Sequence, residues 1–423
     1  MPPFPPADVR VIRDLAKQAH ELASSEEYEA RRRRWRDVNE RRRPDRPPVW
    51  CRPAGVWKDL LPPESLRCAD PFCRRVEYAL RQHLYKDSVG DDHIFEPWWG
   101  VGAVWDCDTE HVWGLPTGRL VESTALGGFR YDAPVKTPDD YERVTVPNFT
   151  YNHRKTQDAL SRTADLLGDA MPVRLTCQPP IGPSQGIILQ QLRGMEAMLD
   201  DLAFQPALVH RIMAKLTEGA LRAARVVADS RLLTTNHHEP MFCSDPVNGA
   251  AAVGQDRILP SGSQIARSAP PVKLHNLWVA ANSQEFQVVS PRMQEEFLLN
   301  YQMPVLQQYG AVQYGCCEDL THKIDIVLRI PNLRVFVCSP WTDLDRVVEK
   351  CGARFTIMWR QSAQAVVYPA DLEPVRRHLE EGMRRLRGCH YQIVLRELET
   401  LRGNPNRLRE WAQTAIAAAE QNT

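Results

Sequence analysis

An α/β fold built on a parallel sheet is the class this sequence predicts, and three observations predict it. From Val173 onward, short apolar runs alternate with longer amphipathic stretches. A hydrophobic share of 43% and a charged share of 25% are those of an ordinary folded protein with a sizeable core. The length of 423 residues suits one large α/β domain with insertions, or two ordinary ones.

The elements follow in order. Residues 8–43 predict a polar helical arm whose basic concentration is Arg31–Arg34, Arg36 and Arg41–Arg43. Glu21, Glu26, Glu27, Glu29, Asp37 and Glu40 are interleaved with it, which favours a solvated helix face over a nucleic-acid stripe. Pro44, Pro47 and Pro48 end the arm, because proline cannot continue a helix. The chain thus divides into an arm of residues 1–47 and a main domain of residues 48–423. The arm is expected outside the sheet or against a second copy in a homodimer, and dispensable for chemistry.

Val49–Arg52 reads as an entry strand and residues 70–86 as a helix. Residues 94–135 are aromatic, Gly-rich and strand-like, a β-rich insertion or a cleft wall. Strands are then expected at Val173–Cys177, Leu232–Thr235, Ala311–Tyr314, Val335–Cys338, Phe355–Met358 and Ile393–Leu395. Helices are expected at 206–229, 291–308, 320–328, 343–350, 369–386 and 405–420, with apolar residues at helical spacing clearest in the first. Strands separated by such helices argue for a parallel sheet with the helices outside.

Charge and motifs exclude several classes. With 53 basic and 53 acidic side chains the formal net charge is zero, which gives no argument for a nucleic-acid or anionic-membrane partner. No apolar run approaches the ~20 residues of a membrane span. Eleven cysteines behind a Met-Pro-Pro-Phe-Pro-Pro start without a signal pattern read as reduced thiols in the cytoplasm. There is no P-loop, no dinucleotide fingerprint and no Gly-x-Ser-x-Gly elbow.

Three constellations carry candidate chemistry. Cys316-Cys317-Glu318 follows the strand ending at Tyr314; adjacent side chains at a strand end diverge, so one thiol is expected to face the site. A thiolate there suits zinc, and the pair equally fits two small buried apolar residues. His237-His238-Glu239 follows Leu232–Thr235, where imidazole suits zinc or proton transfer, or merely an exposed polar loop. Glu397 and Glu399 alternate around Leu398 and should share one face, inward as a carboxylate pair or outward as partners of Arg396 and Arg402. Trp98, Trp99, Trp105, Trp113 and Trp278 could line an aromatic cleft for a flat or methylated substrate, or simply pack a core.

Several stretches resemble the uroporphyrinogen decarboxylase superfamily, which also contains zinc-dependent, corrinoid-linked methyltransferases. Pro48-Val49-Trp50-Cys51-Arg52-Pro53-Ala54-Gly55 is similar to its early strand-and-loop motif. Arg193–Leu202 with Pro206–His210, and Ser290–Met293 with Glu296, Phe297 and Tyr301, resemble helices of its barrel. Asp91–Trp98, Tyr314–Glu318, Ile330–Arg334 and Ser339-Pro340-Trp341 resemble the signatures of one branch. The resemblance implies a (β/α)8 TIM-like barrel, with Thr176, Thr235, Tyr314 and Cys338 at strand ends opening on one cavity.

It also implies a methyltransferase that activates a small methylated substrate on a bound metal and passes the methyl group to a corrinoid on a partner protein. In that reading Cys316, Cys317, His237 and Glu399 hold zinc, while Glu318, His238 and Asp92 are catalytic. Arg52, Glu96, Trp98, Tyr314 and Trp341 would contact substrate. The chain departs from the family at three places: Val56 replaces a second arginine, Tyr314-Gly315-Cys316 lacks an upstream His, and Glu397-Leu398-Glu399-Thr400 replaces a D-x-H-T ending. Two rivals follow. One is a metal-independent decarboxylase-like reaction, with Arg52 anchoring a carboxylate and Asp91, Asp92 or Glu96 managing protons. The other is a barrel that binds a tetrapyrrole or corrinoid without turnover.

Overall fold

The computed structural model describes residues 3–121, 129–249 and 271–422. Its strands are β1 (Val49–Cys51), β2 (Trp99–Gly102), β3 (Trp105–Cys107), β4 (Gly118–Val121), β5 (Phe129–Asp132) and β6 (Phe149–Tyr151). The chain continues through β7 (Val173–Thr176), β8 (Trp278–Ala281), β9 (Ala311–Tyr314), β10 (Leu333–Cys338), β11 (Thr356–Gln361) and β12 (His390–Leu395). Six of them form one parallel sheet in the order β1-β12-β11-β10-β9-β8. A separate parallel pair joins β2 to β7, and β3–β6 and β4–β5 are antiparallel.

Period-2 alternation sorts the sheet residues between two cores. Ile357, Trp359, Ile393 and Leu395 pack outward with helix residues such as Val375, Leu379 and Trp411. Trp50, Val335, Val337, Met358 and Val394 face inward and share a second core with Tyr28, Trp35 and Cys243. Strands buried on both faces are what a parallel sheet requires.

Strand order is TIM-like, but among the described residues the strands do not pair into a closed barrel. Two gaps separate the six-stranded sheet from the β2–β7 pair. At the β1 edge, the Asp92 and Asp91 carboxylates accept from the backbone amides of Val49 and Cys51, each at 2.7 Å, and the Asp92 amide donates to the Val49 carbonyl at 2.8 Å. At the β8 edge, the expected strand Leu232–Thr235 is irregular. The Thr234 amide donates to the Cys177 carbonyl (3.1 Å), and the Asn236 side chain brackets Trp278 through two 2.9 Å bonds. Side chains here complete hydrogen bonds that a neighbouring strand would otherwise supply.

The arm does not lie outside the sheet. Its helices, Pro6–Ala23 and Glu26–Asn39, bury Tyr28 and Trp35 in the inner core. Asn39 donates to the Cys243 carbonyl (2.8 Å) and accepts from Gln392 (2.7 Å), while Thr356 donates to the Val38 carbonyl (2.7 Å). The second helix therefore closes the N-terminal edge of β11 and β12. The aromatic insertion is composite: β2 belongs to the parallel framework, and β4–β5 is an exposed hairpin. Among the described residues, no helix is long and apolar enough to cross a membrane.

Candidate functional site

A cavity of about 460 Å³ opens at the gap between β1 and the β2–β7 pair. Trp50, Arg52, Phe95, Trp98, Trp99, Thr176, His238 and Glu239 contribute to its wall, with Ala19 of the arm. The short β1 strand turns Trp50 and Arg52 to the inner side, and the irregular run after Thr235 brings in His238, while His237 beside it stays out of the wall. Of the candidate site residues, Arg52, Glu96, Trp98 and His238 line this cavity.

Its polar groups are few and tuned by burial. The Trp98 indole donates to Glu96 (3.0 Å), whose other oxygen stands 3.5 Å from Arg32. The His238 ring meets Trp98 edge-on at 5.3 Å. Burial, then the charges of Arg174 and Arg32, pull His238 down to about 4. Burial and neighbouring His238 do the same to His237. Both imidazoles are therefore neutral near pH 7, and His237 Nδ1 is buried without a partner among the described residues. Burial raises the Glu239 carboxyl, and Arg52 opposes that shift.

A second cluster lies at the end of β9. Gly315 has φ +112°, and a Cβ there would come within 2.9 Å of Val337 Cβ, so only glycine makes this turn without strain. The turn sets Cys316 and Cys317 side by side with sulfurs 3.4 Å apart. The expectation that only one thiol faces the site is corrected, because strand alternation has already ended at Gly315. Arg360 Nη1 lies 3.8 Å from the Cys316 sulfur, 3.7 Å from that of Cys317 and 3.0 Å from Glu397 Oε1. The Cys317 hydrogen bond, helped by Arg360 and Arg396, draws Cys316 down to about 6, and Cys317 moves upward in return. The pair thus ionises as a unit that sheds its first proton easily.

Several expected roles are corrected. Glu318 is fully buried and accepts from the Ser283 amide (2.8 Å), the Ser283 hydroxyl (3.1 Å) and the Cys316 amide (2.8 Å). It braces the Cys316 loop against the end of β8, with both carboxylate oxygens already bonded. Asp92 is likewise saturated, by Arg34, Arg46 and the Val49 amide, and Asp91 by Lys86 and the Cys51 amide. Tyr314 points outward, where its hydroxyl donates to Gln302 (3.0 Å). Trp341 is 66% exposed and outside the cavity wall. Glu397 and Glu399 do not form a pair: the strand ends at Leu395, Glu397 takes φ +58° to reach Arg360, and Glu399 packs against Gly55.

Two groups escaped the sequence reading, and a third, Arg396, was read only as an outward partner of Glu397 and Glu399. Glu285, four residues beyond β8, is held up to about 7 by burial and the nearby Glu318 charge, and its Oε2 has no partner among the described residues. Arg360 is fully buried on the inner face. Arg396 is pulled down to about 10 by burial, with Arg360 and Arg52 contributing. A charged residue at an inward position of an apolar strand, as in Met358-Trp359-Arg360, was the available signal.

Zinc does not fit the donor set. Among the described residues no three His, Cys, Asp or Glu side chains gather as a metal would require, so Cys316, Cys317, His237 and Glu399 are not brought together. The Arg360 guanidinium instead supplies the positive charge beside both sulfurs.

No family model matches the chain, and no curated protein matches it. Among solved structures it is similar to a methyltransferase from Methanosarcina mazei, at 11% identity and a TM-score of 0.51. The match covers 92% of this chain and 98% of that one. At this identity the likeness shows the fold.

Proposed function

We propose a methyltransferase-type enzyme that takes a small methylated substrate into the aromatic cavity beside β1 and β2. The observation that carries this reading is the cavity wall: the indoles of Trp50, Trp98 and Trp99 with Phe95, punctuated by Arg52, His238 and Glu239. Aromatic faces attract methylated and cationic groups through dispersion and the ring quadrupole. A volume of about 460 Å³ suits a small molecule. The name given to the similar Methanosarcina mazei structure supports the reaction class.

Methyl transfer breaks a carbon–heteroatom bond and leaves the electron pair on the heteroatom. Glu239, an exposed residue in the cavity wall whose carboxyl is shifted upward, is the group placed to hand a proton to that leaving atom. Neutral His238, set against Trp98, orients the substrate through a hydrogen bond, and the aromatic wall excludes water. No step runs through zinc, because the donors do not fit it. A corrinoid on a partner protein stays the acceptor suggested by the resemblance; the cavity is sized for the methyl donor, and none of its residues is assigned to the macrocycle. The decarboxylase-like alternative loses Asp91 and Asp92 to structural bonds and retains Glu96 and Arg52 in the cavity wall.

A panel of deuteromethyl amines, thioethers and aromatic methyl ethers, incubated with the protein and cob(I)alamin, tests the reading by mass spectrometry. One class should lose its labelled methyl group to cobalt. Release of carbon dioxide from carboxylate analogues, with every label retained, would overturn it.

A further inference from the structure

Adjacent strands β11, β12 and β1 each carry an inward arginine at their C-terminal end: Arg360 is the penultimate residue of β11, and Arg396 and Arg52 directly follow β12 and β1. In register, Arg360 lies level with Val394, and Val394 level with Trp50. Arg396 and Arg52 follow two residues on, at matched heights, because the Arg52 amide still donates to the Leu395 carbonyl (2.9 Å). The inward set Met358/Arg360, Val394/Arg396 and Trp50/Arg52 thus changes from apolar to cationic toward the C-terminal strand ends.

Too few anions answer this charge. Glu397 serves two of the arginines, at 3.0 Å from Arg360 and 3.7 Å from Arg396. Among the described residues, Arg396 Nη1 otherwise meets the Met241 sulfur, at 4.0 Å. Arg360 spends Nη1 on Glu397 and the two thiols, while its Nε and Nη2 are buried with no partner among the described residues. Those two nitrogens form the guanidinium edge whose parallel N–H groups match both oxygens of a carboxylate. A buried donor pair left unmade is costly, and a ligand that completes it removes that cost.

We propose that the Nε–Nη2 edge of Arg360, flanked by Arg396 and Arg52, is a carboxylate-binding subsite for the acidic head of the substrate. Arg52 and Met241 belong to the wall of the aromatic cavity and Met241 touches Arg396, while Arg360 lines a smaller cavity of about 170 Å³ beside Ser339, Thr342 and Ser362. Resting on the methyl-transfer reading, this narrows the substrate class to small methylated acids, with the acid at the arginines and the methylated end among the indoles.

Thermal melting of the full chain in acetate, succinate and inorganic phosphate, against chloride at equal ionic strength, tests the subsite directly. Acetate or succinate should raise Tm along a saturating single-site curve. R360K keeps a charge for Glu397 but lacks the planar fork, so carboxylate affinity should fall by roughly 10-fold or more. R52Q changes an exposed side chain and should fold normally while weakening the same response. Equal carboxylate shifts in wild type, R360K and R52Q, no shift in wild type, or stabilisation by phosphate alone would each overturn the subsite. The melt needs no turnover, so carboxylate binding without label loss in the deuteromethyl panel would count against methyl transfer and not against the subsite.

Discussion

The two parts of the parallel framework solve the same problem differently. In the six-stranded sheet, backbone ladders hold neighbours together, and hydrophobic side chains alternate cleanly between an inner and an outer core. Around the β2–β7 pair, carboxylates and an amide side chain complete the backbone bonds instead, through Asp91, Asp92 and Asn236. A ladder leaves no room between strands. Side-chain bridging does, and the aromatic cavity opens in the space it creates. The regular part supplies the row of arginines; the irregular part supplies the aromatic walls of the cavity.

Removing residues 1–43 should break this comparison most completely. The arm contributes Tyr28 and Trp35 to the inner core and Arg34 to Asp92, so its loss should leave no cooperatively folded protein by circular dichroism and calorimetry. A stable truncated chain would contradict the internal placement of the arm. Next in size is Asp92→Ala, which strands two buried guanidinium groups and the Val49 amide. Urea unfolding should show a loss of about 3–5 kcal/mol. Unchanged stability with lost activity would restore Asp92 to a catalytic role.

The two parts should also respond to pH in opposite directions. His83, His93, His237 and His238 lie around the cavity with depressed values, to about 4 for three of them and in direction only for His93. Unfolding frees these imidazoles to bind protons, so their contribution is present above pH 6.5 and is lost as pH falls through about 4. Glu285 beside β8 is raised from 4.5 to about 7, so its contribution is full below pH 4.5 and lost as pH rises through 7. E285Q should abolish that second loss, on the order of 3 kcal/mol at ~1.4 kcal/mol per unit. Urea midpoints from pH 4 to 8 in both proteins check this, and identical curves would contradict it. The smallest effect belongs to Tyr314→Phe, which should cost about 1 kcal/mol and leave substrate KM unchanged. A raised KM there would return Tyr314 to the substrate site.

The α/β class and the positions of β7, β9 and β10 were legible because their apolar runs are bounded by helices of ordinary length. β11 was read too short: Trp359-Arg360-Gln361 looks polar enough to end a strand, although all three are buried. β8 was missed because Trp278-Val279-Ala280-Ala281 is too short to separate from an aromatic packing segment. Leu232–Thr235 looked like a strand because burial alone demands the same apolar residues. At the cavity, Trp98 and His238 were singled out from residue chemistry, and Arg52 and Glu96 from the motifs that carry the resemblance. Period-2 reasoning failed at Cys316–Cys317 and at Glu397–Glu399 for one reason: a positive φ at Gly315 and at Glu397 ends the alternation on which it depends.

Steady-state kinetics of label loss in W98A and E239Q, on the substrate identified by the deuteromethyl panel, test the central claim most directly. W98A removes an aromatic face that holds the methylated group and should raise KM by about 10-fold, with kcat little changed. E239Q keeps the shape of the cavity but cannot protonate the leaving atom, so kcat should fall by roughly 100-fold at nearly constant KM. Wild-type kinetics in both variants would show that methyl transfer does not take place in this cavity.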